Sequence, residues 1–504
     1  MLQLKQIDRE HRLLGHTSAI LQWDQETYMP RAAVQERAEQ LSLLSGLMHD
    51  RITRPDVGES LSALGADFEA DPVPRVPDRF SEIERAFLRE MARVYHRSSR
   101  IPRRVATELA KQTAIGQRIW VEARKAADFS RFSGQLDVIL DLVREVSASL
   151  GYEDHPYDPL LDEFEPGMKT SEVDGIFAQL RTGLKDLLDR ILGSDRQVDI
   201  DFLHRSFDVQ KQRSFGFSIL ESIGYDFSRG RLDESAHPFT TTLGGSDVRL
   251  TTRYNEHFLP SSIFGTIHEC GHGLYELGFG DAVQGSLLAE CPSLGLHESQ
   301  SRMWENLIGR SDSFWRHFYP RLRSLFPEAL GDVEPQRFYE AVNRVAPSFI
   351  RVEADEATYN LHILLRFELE KQLVGGELAV QDLPEAWNAQ MRELLDLTPP
   401  DDARGLLQDV HWSGGMIGYF PTYSLGNLYA AQFFATMARD IPDWRGEVEA
   451  GCFESILDWL RRSIHTHGRI YPARDLCQRV TGESLNPRFL LEYLGEKYGA
   501  IYGF

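Results

Sequence analysis

Cysteine is scarce, with Cys270, Cys291, Cys452 and Cys477 the only 4 in 504 residues and none of them in a CxxC pair. That excludes a disulfide framework and gives thioredoxin-like redox chemistry no support. Basic charge is also short, 55 Lys and Arg against 76 Asp and Glu, for a net charge of −21. So acidic a surface repels phosphate backbones and anionic lipid, which argues against nucleic acid and membrane as general partners. The opening MLQLKQIDREHRLLGHTSAI carries Asp8 and Glu10 and has no apolar export core, so the expected location is cytoplasmic. Between Val410 and Ala438 there is no Asp, Glu, Lys or Arg. Gly414, Gly415, Gly418, Pro421 and Asn427 make that stretch poor material for a spanning helix, and it reads as buried cleft wall. No Gly-rich phosphate loop follows a strand, and no internal repeat is visible.

What is present is ordinary globular material, 42% hydrophobic and 26% charged, which removes disordered and low-complexity readings. Helical periodicity dominates. Ile83, Phe87, Met91, Val94 and Tyr95 share one face of a segment that Ser81 can cap, with Glu82 and Glu84 in its first turn. Pro102 to Ala127 and Phe132 to Leu150 are nearly free of helix breakers. Strand signals are few. The clearest, FTTTLGGSDVRLTTRY from Phe239 to Tyr254, places Thr-rich runs on either side of Gly244-Gly245 and predicts a small hairpin. The Pro-rich DPVPRVPDR (Asp71 to Arg79) is a connection within one body. The expectation is a mainly α-helical protein with one small β-hairpin, residues 1–504 forming a single domain that has room for two helical subdomains flanking a cleft.

Chemistry concentrates at His268-Glu269-Cys270-Gly271-His272. On a helix, residues i and i+4 share a face, so both imidazoles can bind one metal ion with Glu269 beside it. Ile263, Phe264, Ile267 and Leu274 supply the apolar backing. By chance a chain of this length shows HExxH roughly a few per cent of the time, and the bland alternative is two surface histidines on an amphipathic helix. Gly271 argues against that alternative, because glycine costs roughly 1 kcal/mol inside a helix and marks the close approach of something. Cys270 projects off the histidine face and reads as a small packing residue. A catalytic metal site needs a third protein ligand and an open position. Glu276, Glu290, His297, Glu298 and Glu305 are candidates, with Glu276 better placed as an outer partner for an imidazole. A Gly-rich loop between two antiparallel helices would return Glu298 to the histidines, which ranks it modestly above Glu305.

Taken in order, the motifs resemble the carboxypeptidase Taq family of zinc-dependent metallocarboxypeptidases almost end to end. Trp23-Asp24-Gln25-Glu26-Thr27-Tyr28-Met29-Pro30 resembles the family's opening signature. His237-Pro238-Phe239 matches its HPF element and Asp247-Val248-Arg249-Leu250-Thr251 its DxRxT element. HECGH is followed by His297-Glu298-Ser299-Gln300, then by Ile350-Arg351-Val352-Glu353-Ala354-Asp355 (IRxxAD). Gly405-Leu406-Leu407-Gln408-Asp409-Val410-His411-Trp412 matches GxxQDxHW. Gly273, where alanine is common, is a minor departure.

The resemblance implies a large helical gluzincin with a deep groove, acting as a homodimer on peptides with a free C-terminus. It implies zinc, with cobalt able to substitute, held by His268, His272 and Glu298. Glu269 is then the general base and later acid, activating a zinc-bound water. Donors for the oxyanion lie in the charge-free wall, where related helical zinc peptidases place a His and a Tyr: His411 and Tyr423, with Tyr419 beside the substrate. The bland reading of each tyrosine is core with a locally satisfied hydroxyl. Arginine suits bidentate recognition of a C-terminal carboxylate. Arg351 leads and Arg249 follows, against the alternative that Arg351 merely pairs with Asp355 at i+4. His237 is expected to shape the substrate strand region. His465 and His467, amid Arg461, Arg462 and Arg469, read as structural. A related helical zinc endopeptidase or dipeptidase, and a silent scaffold, are the rival functions.

Overall fold

The helix Glu82–Arg100 shows how local sequence becomes structure here. Ser81 N donates to Glu84 Oε2 (3.1 Å) while Glu84 N donates to Ser81 Oγ (3.4 Å), a reciprocal cap that satisfies two otherwise orphaned groups. Phe87 and Met91 of its apolar stripe are buried, whereas Ile83 at the outer end is exposed. In the computed structural model, which describes residues 1–68 and 74–504, the protein is mainly α-helical. The predicted helices are Arg103–Ala126 and Ser130–Leu150. Of the Pro-rich connection, residues 71–73 lie outside the described residues; Arg75 pairs with Asp67 through both backbone groups (2.9 and 3.1 Å). Among the described residues, no helix is long and apolar enough to cross a membrane.

The chain divides into two units, each assembled from three stretches. The first comprises Met1–Ser98, Val198–Asn343 and Tyr429–Leu485; the second comprises Ser99–Gln197, Arg344–Leu428 and Asn486–Phe504.

In the first unit lies a three-stranded sheet, β1 (Gly230–Glu234), β2 (Thr240–Thr242) and β3 (Val248–Thr252), in the order β1-β3-β2. The expected hairpin is β2 and β3, antiparallel with Thr241 opposite Arg249. β1 is additional and runs parallel to β3, setting Arg231 opposite Arg249 and Leu232 opposite Leu250. Alternation sends the leucines to one face, where they are buried, and the arginines to the other. There Trp23 of the long helix Leu2–Thr27 stacks on both guanidinium groups, 4.3 Å from that of Arg249 and 5.1 Å from that of Arg231, although Arg231 stays exposed. Tyr28 Oη donates to Asp233 Oδ1 at 2.5 Å. Two sequence signatures, one at the N-terminus and one in β3, are thus halves of one contact.

The second unit is built on the hairpin of Arg103–Ala126 and Ser130–Leu150 and on the buried helix Tyr359–Gly375. Gly116 allows the hairpin to close, since a Cβ there would sit 2.8 Å from Ile139 Cδ1 and 3.0 Å from Ser413 O. Glu370 is fully buried in this unit and accepts from Tyr157 Oη (2.6 Å), Trp412 Nε1 (2.8 Å) and Gly418 N (3.0 Å). Burial outweighs these donors and lifts its carboxyl from 4.5 to about 7.

Because the folded value lies above the unfolded one, folding takes up a proton in that window. The group's contribution is complete below the unfolded value of 4.5 and is lost as pH rises through about 7. The stability of the parent protein should therefore fall between about pH 5 and about pH 8 more steeply than that of Glu370→Gln, whose amide does not titrate. Denaturant midpoints across that range provide the comparison, and equal slopes would show that Glu370 is ionised when folded.

Candidate metal centre and active site

The HECGH helix, Leu259–Glu276, carries Pro260 in its first turn and buries Ile263, Phe264, Ile267 and Leu274 on its apolar side. Its partner is the short helix Leu294–Arg302, opened by Ser293, whose Oγ accepts from Leu296 N (3.1 Å) and caps it. Gly271 lets the two meet backbone to backbone: a Cβ there would lie 2.6 Å from both Gln300 O and Ser301 Cα. Gly273 has a similar reason, since its Cβ would stand 2.8 Å from Leu250 Cδ2 of β3. The departure from alanine at that position follows the closeness of helix and sheet.

This contact brings Glu298 to the two histidines, completing a candidate metal site. His268 Nε2 and His272 Nε2 lie 3.5 and 3.4 Å from Glu298 Oε2, and the donor atoms of all three residues fall within 4.8 Å of one another. Ligands at the corners of a tetrahedron, each about 2.1 Å from its centre, are about 3.4 Å apart, so the two histidine–Glu298 spacings and the donor chemistry fit a first-row divalent ion site. Among the described residues it is the one cluster of this kind.

Behind the ligands stands a ladder of buried charge. Arg302 Nε donates to Glu298 Oε1 (2.8 Å), and its Nη1 donates to Glu305 Oε2 (3.1 Å). Glu305 Oε2 also meets His268 Nδ1 at 2.8 Å, and Arg310 lies 3.5 Å from its other oxygen. The helix passes into a π-helical turn, Met303–Ile308, that carries Glu305. Burial raises the cost of ionising Glu305, but Arg302, then His268 and Arg310, bring it down to about 2. For Glu298 burial is likewise overcome by Arg302 and the two histidines, which hold it well below the usual carboxylate range. Burial pushes His268 down, yet Glu298 and Glu305 lift it to about 9; burial, with His297 alongside, drives His272 down to about 3.

Glu269, on the HECGH helix next to His268, is held by β2, from which Thr240 Oγ1 donates to its Oε2 at 2.7 Å. Burial raises its carboxyl above the ordinary value, offset in part by His268 and by the Thr240 hydrogen bond. A carboxyl raised toward neutrality suits a group that must take and return a proton.

The remaining expected residues fall into two places. In the first unit, Arg249 gives Nε and Nη2 to Asp247 (2.9 and 2.8 Å) and stacks on Trp23, so its fork is already engaged. His237 is exposed on the loop before β2, its carbonyl accepting from Ser235 Oγ at 2.6 Å. In the second unit His411, Tyr419, Tyr423 and Arg351 form one cluster. His411 Nε2 is 3.2 Å from Tyr423 Oη, Tyr419 is ring to ring with both, and the Arg351 guanidinium lies 4.9 Å from the Tyr423 ring. Burial pushes His411 down to about 4, so it is neutral at physiological pH.

Arg351 is buried and ion-paired, but with Asp409 rather than Asp355. Its Nη2 and Nε donate to Asp409 Oδ1 (2.7 and 3.1 Å) and its Nη1 to Tyr359 Oη (2.8 Å). Arg366 Nε donates to Asp409 Oδ2 (2.7 Å). The Asp355 carboxylate instead accepts from the backbone of Ala346, Ala357 and Thr358.

Glu305, a candidate ligand by sequence, lies instead against His268 Nδ1. Glu276 does partner an imidazole, as expected of it, but that of His297 (2.9 Å) rather than of His268 or His272. Asp409 stands in the GxxQDxHW element, yet only contact across the fold shows it shared by two arginines. His465 is buried on Gln300 Oε1 (2.9 Å), a structural place.

A helical body with two histidines one turn apart, a glutamate from a second helix and a glutamate next to the first histidine defines the HExxH metallopeptidase class. The Carboxypeptidase Taq (M32) metallopeptidase family model matches residues 3–498. The chain is 45% identical to Thermostable carboxypeptidase 1 of Thermus thermophilus over 99% of its own length and 98% of that protein's. It is 39% identical to Carboxypeptidase 1 of Bacillus subtilis, covering 96% and 95%. The crystal structure of M32 carboxypeptidase from Deinococcus radiodurans superposes with a TM-score of 0.94 at 39% identity, covering 100% of this chain and 99% of that one. This chain belongs to the carboxypeptidase Taq (M32) metallopeptidase family.

Because Gly271 sits at the backbone contact, Gly271→Ala should force the two helices apart. The expected result is a loss of about 1–3 kcal/mol of stability together with weakened metal binding. Thermal melting and chelator competition measure the two effects. A variant that melts and binds metal like the parent would show that the contact is not as close as described.

Proposed function

We propose that this metallocarboxypeptidase removes single amino acids from the C-termini of peptides, with zinc at His268, His272 and Glu298 and with cobalt able to replace it. The observation that carries this is the clustering of His268, His272 and Glu298, with Glu298 Oε2 3.4–3.5 Å from both Nε2 atoms and a raised, hydrogen-bonded carboxyl next to them. An ion bound there would supply Lewis acidity and lower the pKa of a water ligand to about 7. Glu269 takes the proton from the attacking water at its carboxylate and later hands it to the leaving amine nitrogen. Thr240 keeps that carboxylate oriented. His411 and Tyr423 supply hydrogen-bond donors to the developing oxyanion. Their mutual contact and the neutral imidazole of His411 support this pairing. Tyr419, ring to ring with both, contributes to the substrate wall, and His237 borders the substrate strand region.

Arg351 is the chosen anchor for the free carboxylate. Nε, Nη1 and Nη2 each make internal bonds, but the second hydrogen on Nη1 and on Nη2 is left over, and Asp409 holds the plane still. Arg249, committed to Asp247 and Trp23, is the weaker candidate. We read residues 1–504 as one catalytic domain, a reading supported by the interleaving of the two units and by the family match over residues 3–498. The chain acts as a homodimer, as the family resemblance suggests. Four free cysteines favour a reducing, cytoplasmic setting.

Glu269→Gln keeps its shape but cannot accept a proton, so it should retain metal while turnover falls roughly 10²-fold or more. Glu298→Ala should lose metal affinity instead. Metal content and kcat, measured together, separate the roles, and the reversed pattern would exchange them.

Polarity is tested by a cycle of two enzymes and two substrates. C-terminally amidated peptides should be poor substrates for the parent. Arg351→Ala should lose roughly 2–5 kcal/mol in kcat/KM on free-acid peptides and little further on amides. Arg351→Lys should recover little, lacking the planar fork. Equal losses on acid and amide would make Arg351 structural, and efficient cleavage of blocked peptides would indicate an endopeptidase.

A further inference from the structure

His268 and His272 are held in different ways. His268 Nδ1 lies 2.8 Å from Glu305, the usual arrangement for a metal-binding imidazole, which gives its far nitrogen to a carboxylate, carbonyl or water. His272 Nδ1 is buried and has no hydrogen-bond partner. What His272 meets instead is the face of His297, with ring centroids 4.3 Å apart and planes within 14° of parallel.

His297 is itself fixed. Its Nε2 is 2.9 Å from Glu276 Oε1, and Thr242 Oγ1 donates to the other Glu276 oxygen at 3.1 Å. Thr242 is two residues beyond Thr240 and therefore on the same face of β2. One strand thus steadies both the Glu269 carboxyl and the Glu276–His297 pair. His297 is not among the clustered donor atoms, so it does not stand as a ligand.

We propose that His297 is a positioning residue for the metal centre: its ring face, aimed by Glu276, sets the rotation of the His272 imidazole, as a hydrogen bond does for His268. The proposal rests on the reading of His268, His272 and Glu298 as the metal site.

The test uses the full-length protein and reads the metal directly, by zinc affinity in competition with a chelator and by the visible absorption of the cobalt-loaded form. His297→Leu keeps bulk but removes the flat face, whereas His297→Phe keeps the face but removes the hydrogen bond. Leucine should weaken zinc binding by about 10- to 100-fold, the cost typical of losing an outer partner of a ligand, and should alter the cobalt bands. Phenylalanine should stay within a few-fold of the parent in zinc affinity, while its loss of the Glu276 hydrogen bond should shift the cobalt bands as Glu276→Gln does. Glu276→Gln, which leaves residue 297 in place but loosens its aim, should shift the cobalt bands while the apo-protein melts normally. Leucine matching the parent, or phenylalanine falling as far as leucine, would overturn the proposal. A parent that binds neither zinc nor cobalt would instead bring down the metal-centre reading beneath it.

Discussion

Everything at the candidate centre depends on two helices touching without a side chain between them. The HECGH helix brings two imidazoles to one face by its own periodicity, but a pair of ligands is not a catalytic site. The third arrives because Gly271 lets the backbone at Gln300 and Ser301 come within contact distance. That contact sets Glu298 Oε2 between the two Nε2 atoms at nearly equal distances. Any side chain at position 271 would have to move backbone, which gives slowly or not at all.

Closeness has an electrostatic cost, since it buries Glu298 and Glu305 together with the histidines. Arg302 lies between the two acids and Arg310 beyond them, so each carboxylate has a cation or an imidazole against it. A buried charge without such a partner would neutralise instead. The ladder therefore keeps Glu298 ionised and available while Glu305 orients His268. The second unit repeats the device around Asp409, which holds two arginines with one carboxylate and leaves Arg351 planar and fixed.

Much of this was legible in the sequence because helical spacing is a local property. HExxH placed two imidazoles on one helix face with a carboxyl beside them, Ser81 with Glu84 specified a cap, and the Thr-rich runs specified β2 and β3. The choice of Glu298 over Glu305 was less visible. Both lie on one helical stretch, and which faces the histidines depends on how two helices pack. β1 was missed because GRLDE offers one strongly apolar residue, Leu232, and pairs only through a distant strand. Trp23 and Arg249 were noted in separate motifs, and their stacking cannot be read from spacing, because it joins the start of the chain to the sheet. His297 and Asp409 were missed as supports for the same reason: their partners are reached through the fold.

The central claim is that two histidines and one glutamate from two abutting helices hold a single divalent ion. Anomalous diffraction from zinc-loaded crystals, collected on both sides of the zinc edge, tests it most directly. The account predicts one peak at about 2.0–2.2 Å from His268 Nε2, His272 Nε2 and a Glu298 oxygen, with Glu305 outside bonding range. A peak bound by Cys270 or Glu305 in place of Glu298, or no peak between the two histidines, would contradict it.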